Sequence, residues 1–469
     1  MYEHACCEEI EMEEKKIIVN LSLVGHTWHG KSTILGRFLW EIGRVSDREM
    51  EKYKKMARDI IGDTTHVYSL ILHRGREEIE KTSERGIIGS TVMTSHARVE
   101  ISNKLITFID TPGHPMFKKN KIYGIFQSDC AILVVEADEI NIKEKALEPE
   151  KRVKPGTIEA LHILRSFEVP LVAVTISKMD EVDYSMEKYE RCVDVIQSLL
   201  GSLHYDTDSI FFFPTAALHG EGIREYSQIK WFDGPTFEDV LGSINIYVER
   251  EEQPLRLTVY SSEVYTIPGR GLAIRGTVES GALERDNEII FQPISEILKQ
   301  DIRTRVRSLQ LTKAQATPGI PIERAVPRNI VGALITEHPK FDLHSLLEHY
   351  GNVAGTLKNP PQTATKFEAE IFLIEHPTPI LRGHSPSLNV HVDQAPATLS
   401  DIFEKRKGDG DWDPADVKSI RSGEQARVEF SLLRPVAVEE SENLPWLSRF
   451  VIRSGIGIEG FGKCTKIIE

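Results

Sequence analysis

Eight residues near the start of the chain constrain its fold more than any other stretch: Gly25-His26-Thr27-Trp28-His29-Gly30-Lys31-Ser32. They fit the pattern GxxxxGK[ST]. The apolar run from Lys15 to Gly25 precedes them and reads as a buried strand. The segment from Lys31 to Gly43 follows, with Ile34, Leu35, Phe38, Leu39 and Ile42 at helical spacing. A strand–loop–helix unit of this kind cradles phosphate. Glycines let the backbone wrap the anion with N–H groups pointing inward. Lys31 is placed to reach β- and γ-phosphates, and the Ser32 hydroxyl to ligate Mg2+.

The chain beyond this loop alternates apolar strands and helical stretches. Buried-strand candidates are ARVEIS, KLITFID, CAILVVEAD, VPLVAVTISKMD and SIFFFPTAA, and helical patterns run over Thr157 to Phe167 and Met186 to Leu200. Such alternation predicts a doubly wound α/β domain with a mostly parallel sheet. We place it at residues 15–247, after a flexible charged tail, 1–14. After Arg250 the texture becomes all-β: short alternating runs such as LRLTVY, GLAIRGTVESG and NIVGALI, punctuated by glycine, proline and Asp/Asn. Two small barrels are expected, over 248–356 and 366–469, joined by the linker TLKNPPQTAT.

Two further motifs follow apolar strands. Asp110-Thr111-Pro112-Gly113-His114 comes directly after KLITFI. A carboxylate at a strand end is where Mg2+ is held, often through water, and the Gly113 N–H can donate to a γ-phosphate. Ser177-Lys178-Met179-Asp180 comes after the run VPLVAVTI. The Asp180 carboxylate can accept both hydrogen bonds from the guanine N1 and N2 edge, a donor pair that adenine lacks. Lys178 would lie along the base plane. Taken singly, the first is compatible with an ordinary Asp–Pro–Gly turn and the second with a solvated loop. In this order, behind these strands, the three motifs point to a GTPase.

The sequence resembles translation GTPases, most closely archaeal and eukaryotic elongation factor 1-alpha, with elongation factor Tu and the release- and rescue-factor GTPases as cousins. The matching pieces are GHTWHGKSTILGRFLWEIGRVSDREMEKY, SERGI, DTPGH, SDCAILVVEAD, SKMD, RGTVESG, GNVAG and LSRFVIRSGIGIEGFGK, spread over residues 15–469. The resemblance implies a P-loop GTPase domain followed by two β-barrels, with GTP/GDP and Mg2+ as cofactors. It implies a switch that carries aminoacyl-tRNA, or a tRNA-shaped partner, to the ribosome, with a nucleotide-exchange factor as a further partner. A release or rescue protein as cargo, or a nucleotide-dependent binding module with little catalysis, are the alternatives. His114 maps onto the catalytic histidine that orients the attacking water. Gly25, His29, Gly30, Lys31, Ser32, Thr33 and Gly113 map onto the phosphate contacts. Ser177, Lys178, Asp180, Ala216 and Ala217 map onto the guanine site, and Ser32 and Asp110 onto the metal site.

Two departures from the family pattern bear on the γ-phosphate, and a third on the guanine site. Trp28 stands where the family has Asp, Ile88 where it has a switch-I threonine, and Ser177 where it has Asn. Isoleucine cannot ligate Mg2+. Ser90 or Thr91 takes over if Gly89 lets the loop shift by two or three residues. Pro115 and Met116 also replace the usual basic–acidic pair. The expectation is GTP binding with weakened hydrolysis.

Composition narrows the remaining classes. With 71 acidic against 57 basic residues, a net charge of −14 argues against a surface coated for non-specific nucleic-acid binding and leaves a local RNA-binding face open. Arg303, Arg305 and Arg307 fall on one face of a strand and read as a solvated sheet face. Five cysteines form no disulfide scaffold, and a reducing compartment fits. No run of about 18 apolar residues occurs, so neither a membrane span nor a membrane partner is expected, and the cytoplasm is the expected location. His4, Cys6 and Cys7 are too few and isolated for a zinc site. The Asp-rich run Lys407 to Asp416 reads as a hairpin loop, since it lacks the spacing of a Ca2+ loop.

Overall fold

The computed structural model describes residues 16–60, 62, 64–72, 91, 94–138, 149–246, 250–312, 319–338, 340–374, 376–408, 410–414, 418–455 and 457–469. The N-terminal tail, SERGI, Ile88, Gly89 and Ser90 lie outside the described residues.

Six strands form the first sheet: β1 (Ile17–Val24), β2 (Ser95–Ile101), β3 (Lys104–Asp110), β4 (Cys130–Glu136), β5 (Leu171–Ser177) and β6 (Phe211–Pro214). Their order is β2-β3-β1-β4-β5-β6, parallel throughout except for the edge strand β2. β1 and β4 are buried almost along their whole length, as strands covered on both faces must be. One face carries α1 (Lys31–Glu41), where Phe38 meets Phe108 and Phe237 edge-on at 5.9 and 5.3 Å. The other face carries three helices, α3 (Lys118–Phe126), α4 (Pro155–Ser166) and α5 (Met186–Ser202). Between α1 and β2 lies α2 (Asp47–Ile60), which the periodicity reading passed over. Ser46 and Glu49 cap it reciprocally, each accepting from the other's backbone N–H.

β1 lies between β3 and β4, so the chain reverses its direction of winding there. Ligands of open α/β sheets bind beyond the carboxyl ends of the strands at such a point. The phosphate loop follows β1, Asp110 ends β3, Ser177 ends β5 and Thr215 follows β6.

The second sheet runs Glu288–Gln292, Asn352–Thr356, Arg256–Ile267, Gly271–Ser280, Ile330–Ile335, Arg303–Leu311, Ile320–Ile322, and pairing of Glu288–Gln292 with Arg303–Leu311 closes the first six into a ring. The third is a closed six-stranded barrel over residues 363–467. Arg303, Arg305 and Arg307 do share an exposed face, where they meet Asp301, Glu288 and the Arg270 carbonyl. Within the Asp-rich segment, Asp413 pairs antiparallel with Lys405.

The barrels pack against the first domain through both apolar and charged contacts. Ile109, Tyr260, Ile330 and Val392 form one cluster drawn from all three units. Beside it, Arg328 of the second unit lies 2.6 Å from Asp129 and 3.3 Å from Glu279. Arg250 lies 3.8 Å from Glu279, and its guanidinium stacks on the Trp446 ring of the third unit. Asp129 also accepts from the Asn20 N–H of β1. Burial pushes the carboxyls of both Asp129 and Glu279 above the usual range, against the pull of the two arginines.

Candidate functional site

The phosphate loop turns because its glycines permit it. Gly25 has φ +143, and a Cβ there would sit 2.3 Å from the Val134 carbonyl oxygen. Gly30, at φ +90, precedes the first turn of α1, and the N-terminal end of a helix suits an anion. Trp28 also adopts positive φ, 65°, and its ring is exposed. Left-handed backbone is uncommon for a bulky side chain, and strain of this kind concentrates at functional sites. Lys31 is buried, and its Nζ donates to the carbonyls of Gly25 and His26 at 3.2 and 2.6 Å.

Three oxygens converge beside Lys31. Ser32 Oγ donates to Asp110 Oδ2 at 2.6 Å, and Thr91 Oγ1 lies 3.0 Å from Ser32 Oγ and 3.3 Å from Asp110 Oδ2. Thr91 lies three residues beyond Ile88, and it brings a hydroxyl to the place where a switch-I threonine is expected. The donors are hard oxygens. Their separations match the roughly 2.9 Å edge of an octahedron with metal–oxygen distances of about 2.0–2.1 Å. Ser32, Thr91 and Asp110 therefore fit Mg2+. Such an ion would neutralise charge on bound phosphates. Gly113 presses against the same loop: a Cβ there would lie 2.7 Å from the Thr27 backbone and 2.8 Å from Lys31 Nζ.

A cavity of about 530 Å3 extends from this cluster, a size suited to a small-molecule ligand. Gly30, Lys31, Ser32, Thr33, Thr91 and Gly113 line one end, and Ser177, Lys178, Asp180 and Ala217 the other. Ser177 does not project alone toward a base. Its hydroxyl donates to the His29 carbonyl at 2.6 Å, tying the guanine loop to the phosphate loop. Lys178 pairs with Glu136 at 3.1 Å, and Asp180 faces His219 at 3.6 Å.

Five expected site residues stand back from the lining: Asp110, which meets it only through Ser32 and Thr91, and four more. Gly25 supplies a carbonyl to Lys31. The His29 ring is buried, with Nδ1 3.1 Å from the Val134 carbonyl. Ala216 lies behind Ala217, and its N–H donates to the Glu221 carbonyl. His114 is pinned to its own turn, since Nδ1 accepts from the Met116 N–H at 3.2 Å.

Sequence reasoning missed Thr65, His66 and Ser69, which line the cavity opposite the loop. No motif marks them. Their position depends on Gly36 of α1, where a Cβ would lie 2.0 Å from the Tyr68 carbonyl oxygen. Arg37 then clasps the segment. It donates to Tyr68 Oη at 2.8 Å and to the Leu218 carbonyl at 3.0 Å.

Comparison with known proteins agrees with this geometry. Residues 16–278 match the model of the elongation factor Tu GTP binding domain, and 366–465 that of the GTP-eEF1A C-terminal domain-like family. Elongation factor 1-alpha of Thermofilum pendens is 33% identical over 445 residues, 94% of this chain and 95% of that protein. The Natronomonas pharaonis counterpart is 30% identical over 98% of this chain and 100% of its own. The solved structure of the S. cerevisiae Ski7 GTPase-like domain bound to GTP shares the fold, with a TM-score of 0.77 at 16% identity, covering 96% of this chain and 97% of its own. Elongation factor SelB of Methanococcus maripaludis does so with 0.65 at 20%, covering 97% and 80%. By its family match and its near full-length correspondence to these relatives, the chain belongs to the elongation factor 1-alpha family of P-loop translation GTPases.

Proposed function

We propose that the protein is a GTP-operated switch that delivers aminoacyl-tRNA, or a tRNA-shaped partner, to the ribosome in the cytoplasm, and that its intrinsic hydrolysis is slow. The observation that carries this reading is the single cavity holding Lys31, Ser32 and Thr91 at one end and Asp180 at the other. One end suits a metal-bound polyphosphate and the other a base with a paired N–H edge. The near full-length likeness to proteins named elongation factor 1-alpha supports the cargo assignment.

In this reading Lys31 and the first N–H groups of α1 bind the β- and γ-phosphates. Ser32 and Thr91 hold Mg2+, with Asp110 behind them. Asp180 selects guanine, and Ser177 keeps the base loop and the phosphate loop in register. Thr91 supplies the hydroxyl that Ile88 lacks. Two features slow hydrolysis. Trp28 brings no charge to the phosphate loop, and His114 must leave its bond to Met116 N–H before it can orient water.

Single-turnover GTP hydrolysis, measured alone and with empty or programmed ribosomes, tests the reading together with analysis of co-purified RNA. Guanine-specific binding, slow intrinsic turnover and bound tRNA are expected. Fast intrinsic turnover overturns the kinetic assignment. A co-purifying protein in place of RNA overturns the cargo assignment.

A further inference from the structure

The third unit carries a cluster that the switch does not use. His376 follows the strand Thr363–Leu373, His384 follows the short strand Ile380–Leu381, and Glu459 lies on the last strand, Gly457–Ile467. His384 Nε2 is 2.7 Å from Glu459 Oε2, and His376 Nε2 is 3.6 Å from Glu459 Oε1. One ligand atom from each residue lies within 4.8 Å of the other two. We propose that His376, His384 and Glu459 form a binding site for one divalent transition-metal ion of the zinc type.

The chemistry favours such an ion. Two imidazole nitrogens and one carboxylate oxygen are borderline donors that suit Zn2+ better than Mg2+ or Ca2+. A tetrahedral zinc site has ligand–ligand edges of roughly 3.3 Å, a value bracketed by the 2.7 and 3.6 Å seen, so His384 and Glu459 must part slightly to admit the ion. The orientation is also prepared. His376 Nδ1 is held against Thr378, 2.5 Å from its carbonyl oxygen and 3.3 Å from its backbone nitrogen, and this turns Nε2 toward Glu459. Metal-bound histidines are held by such a bond on the second nitrogen.

The backbone around the trio is fixed independently of any ion. The His376 N–H donates to Ser422 Oγ, and the Ser422 hydroxyl donates to the His376 carbonyl. His384 exchanges backbone bonds with Leu381 and Leu399, and the Glu459 carbonyl accepts from the Ile374 N–H. The Glu459 side chain is 1% exposed, whereas the two histidines are 15% and 21% exposed. Among the described residues, its ion-pair partners are these two histidines. A buried carboxylate so placed gains from a cation. The ion would approach from the histidine side, with water completing its shell, and would staple the 374–384 segment to the final hairpin.

The test uses the full-length protein saturated with Mg2+ and GDP, so that the nucleotide site does not compete. Zn2+ binding is read by elemental analysis after equilibrium dialysis, and Co2+ binding by its visible spectrum. One tightly held zinc per chain is expected. His384→Gln and Glu459→Gln should each weaken binding at least about tenfold and abolish the Co2+ spectrum, with GDP affinity unchanged. His376→Gln, in the loop that follows the strand Thr363–Leu373, gives the same readout if a variant at the barrel wall fails to fold. Absence of stoichiometric zinc, or equal zinc binding by wild type and variants, overturns the proposal.

Discussion

Thr91→Val is the sharpest test of the nucleotide site. The substitution keeps the shape of the side chain and removes one oxygen. That oxygen lies 3.0 Å from Ser32 Oγ and 3.3 Å from Asp110 Oδ2, within the trio that fits Mg2+. An interaction with a charged partner is worth about 1.5–3 kcal/mol, so Mg2+-dependent GTP affinity should fall roughly 10- to 150-fold. GDP affinity should change little, because switch segments close on the metal when the γ-phosphate is present. The assay is equilibrium binding of GTP and GDP, with Mg2+ or with chelator. In chelator the wild type and the variant should converge. Thr91→Ser restores the oxygen and should restore affinity. Equal loss of GTP and GDP binding, or no loss, would refute the reasoning and return the metal-ligand role to a residue nearer Ile88.

Gly113→Ala puts a Cβ 2.7 Å from the Thr27 backbone, so nucleotide affinity should drop at least about tenfold while circular dichroism stays native. Arg328→Met leaves Asp129 and Glu279 buried without their shared cation, and urea unfolding should show a loss of about 3–5 kcal/mol. A loss below about 1 kcal/mol would mean those carboxylates are solvated. His391 is buried against Phe126, and burial pulls its imidazole from 6.5 down to about 4. The native state therefore disfavours the charged ring. Its contribution is complete above pH 6.5 and is lost as pH falls toward 4, by about 3 kcal/mol at most. Denaturation of wild type and His391→Asn at pH 7 and pH 4.5 should show the smaller acid loss in the variant, and parallel losses would exclude His391 as the cause.

What the sequence disclosed, and what it withheld, follows from the range of each interaction. The phosphate loop, Asp110 and Asp180 were legible because each motif sits at the end of an apolar strand, where local pattern fixes position. The doubly wound sheet and the two barrels were legible for the same reason. The capping pair Ser46 and Glu49 was equally local, and so α2 could have been read from it. Thr91 was narrowed only to a pair of candidates, because the path of a loop past Gly89 has no periodicity. The partner of Ser177 is a backbone carbonyl 148 residues earlier in the chain, which no local pattern encodes. Likewise Gly36 looks like a weak spot in a helix until the Tyr68 carbonyl arrives against it. His384 and Glu459 meet across 75 residues of barrel.

The charged seam of Asp129, Arg328, Glu279 and Arg250 has a consequence for how the first domain and the second could part. Apolar surfaces lose free energy in proportion to the area wetted when they part. Buried charges behave differently, since water re-solvates each group on opening and offsets much of the attraction surrendered. The seam thus sets the angle at which the first domain meets the second with little net adhesion. Orientation is specified sharply while the cost of release stays small. A difference of 1–3 kcal/mol between nucleotide states, the usual scale of coupling between sites, is then enough to decide which arrangement prevails.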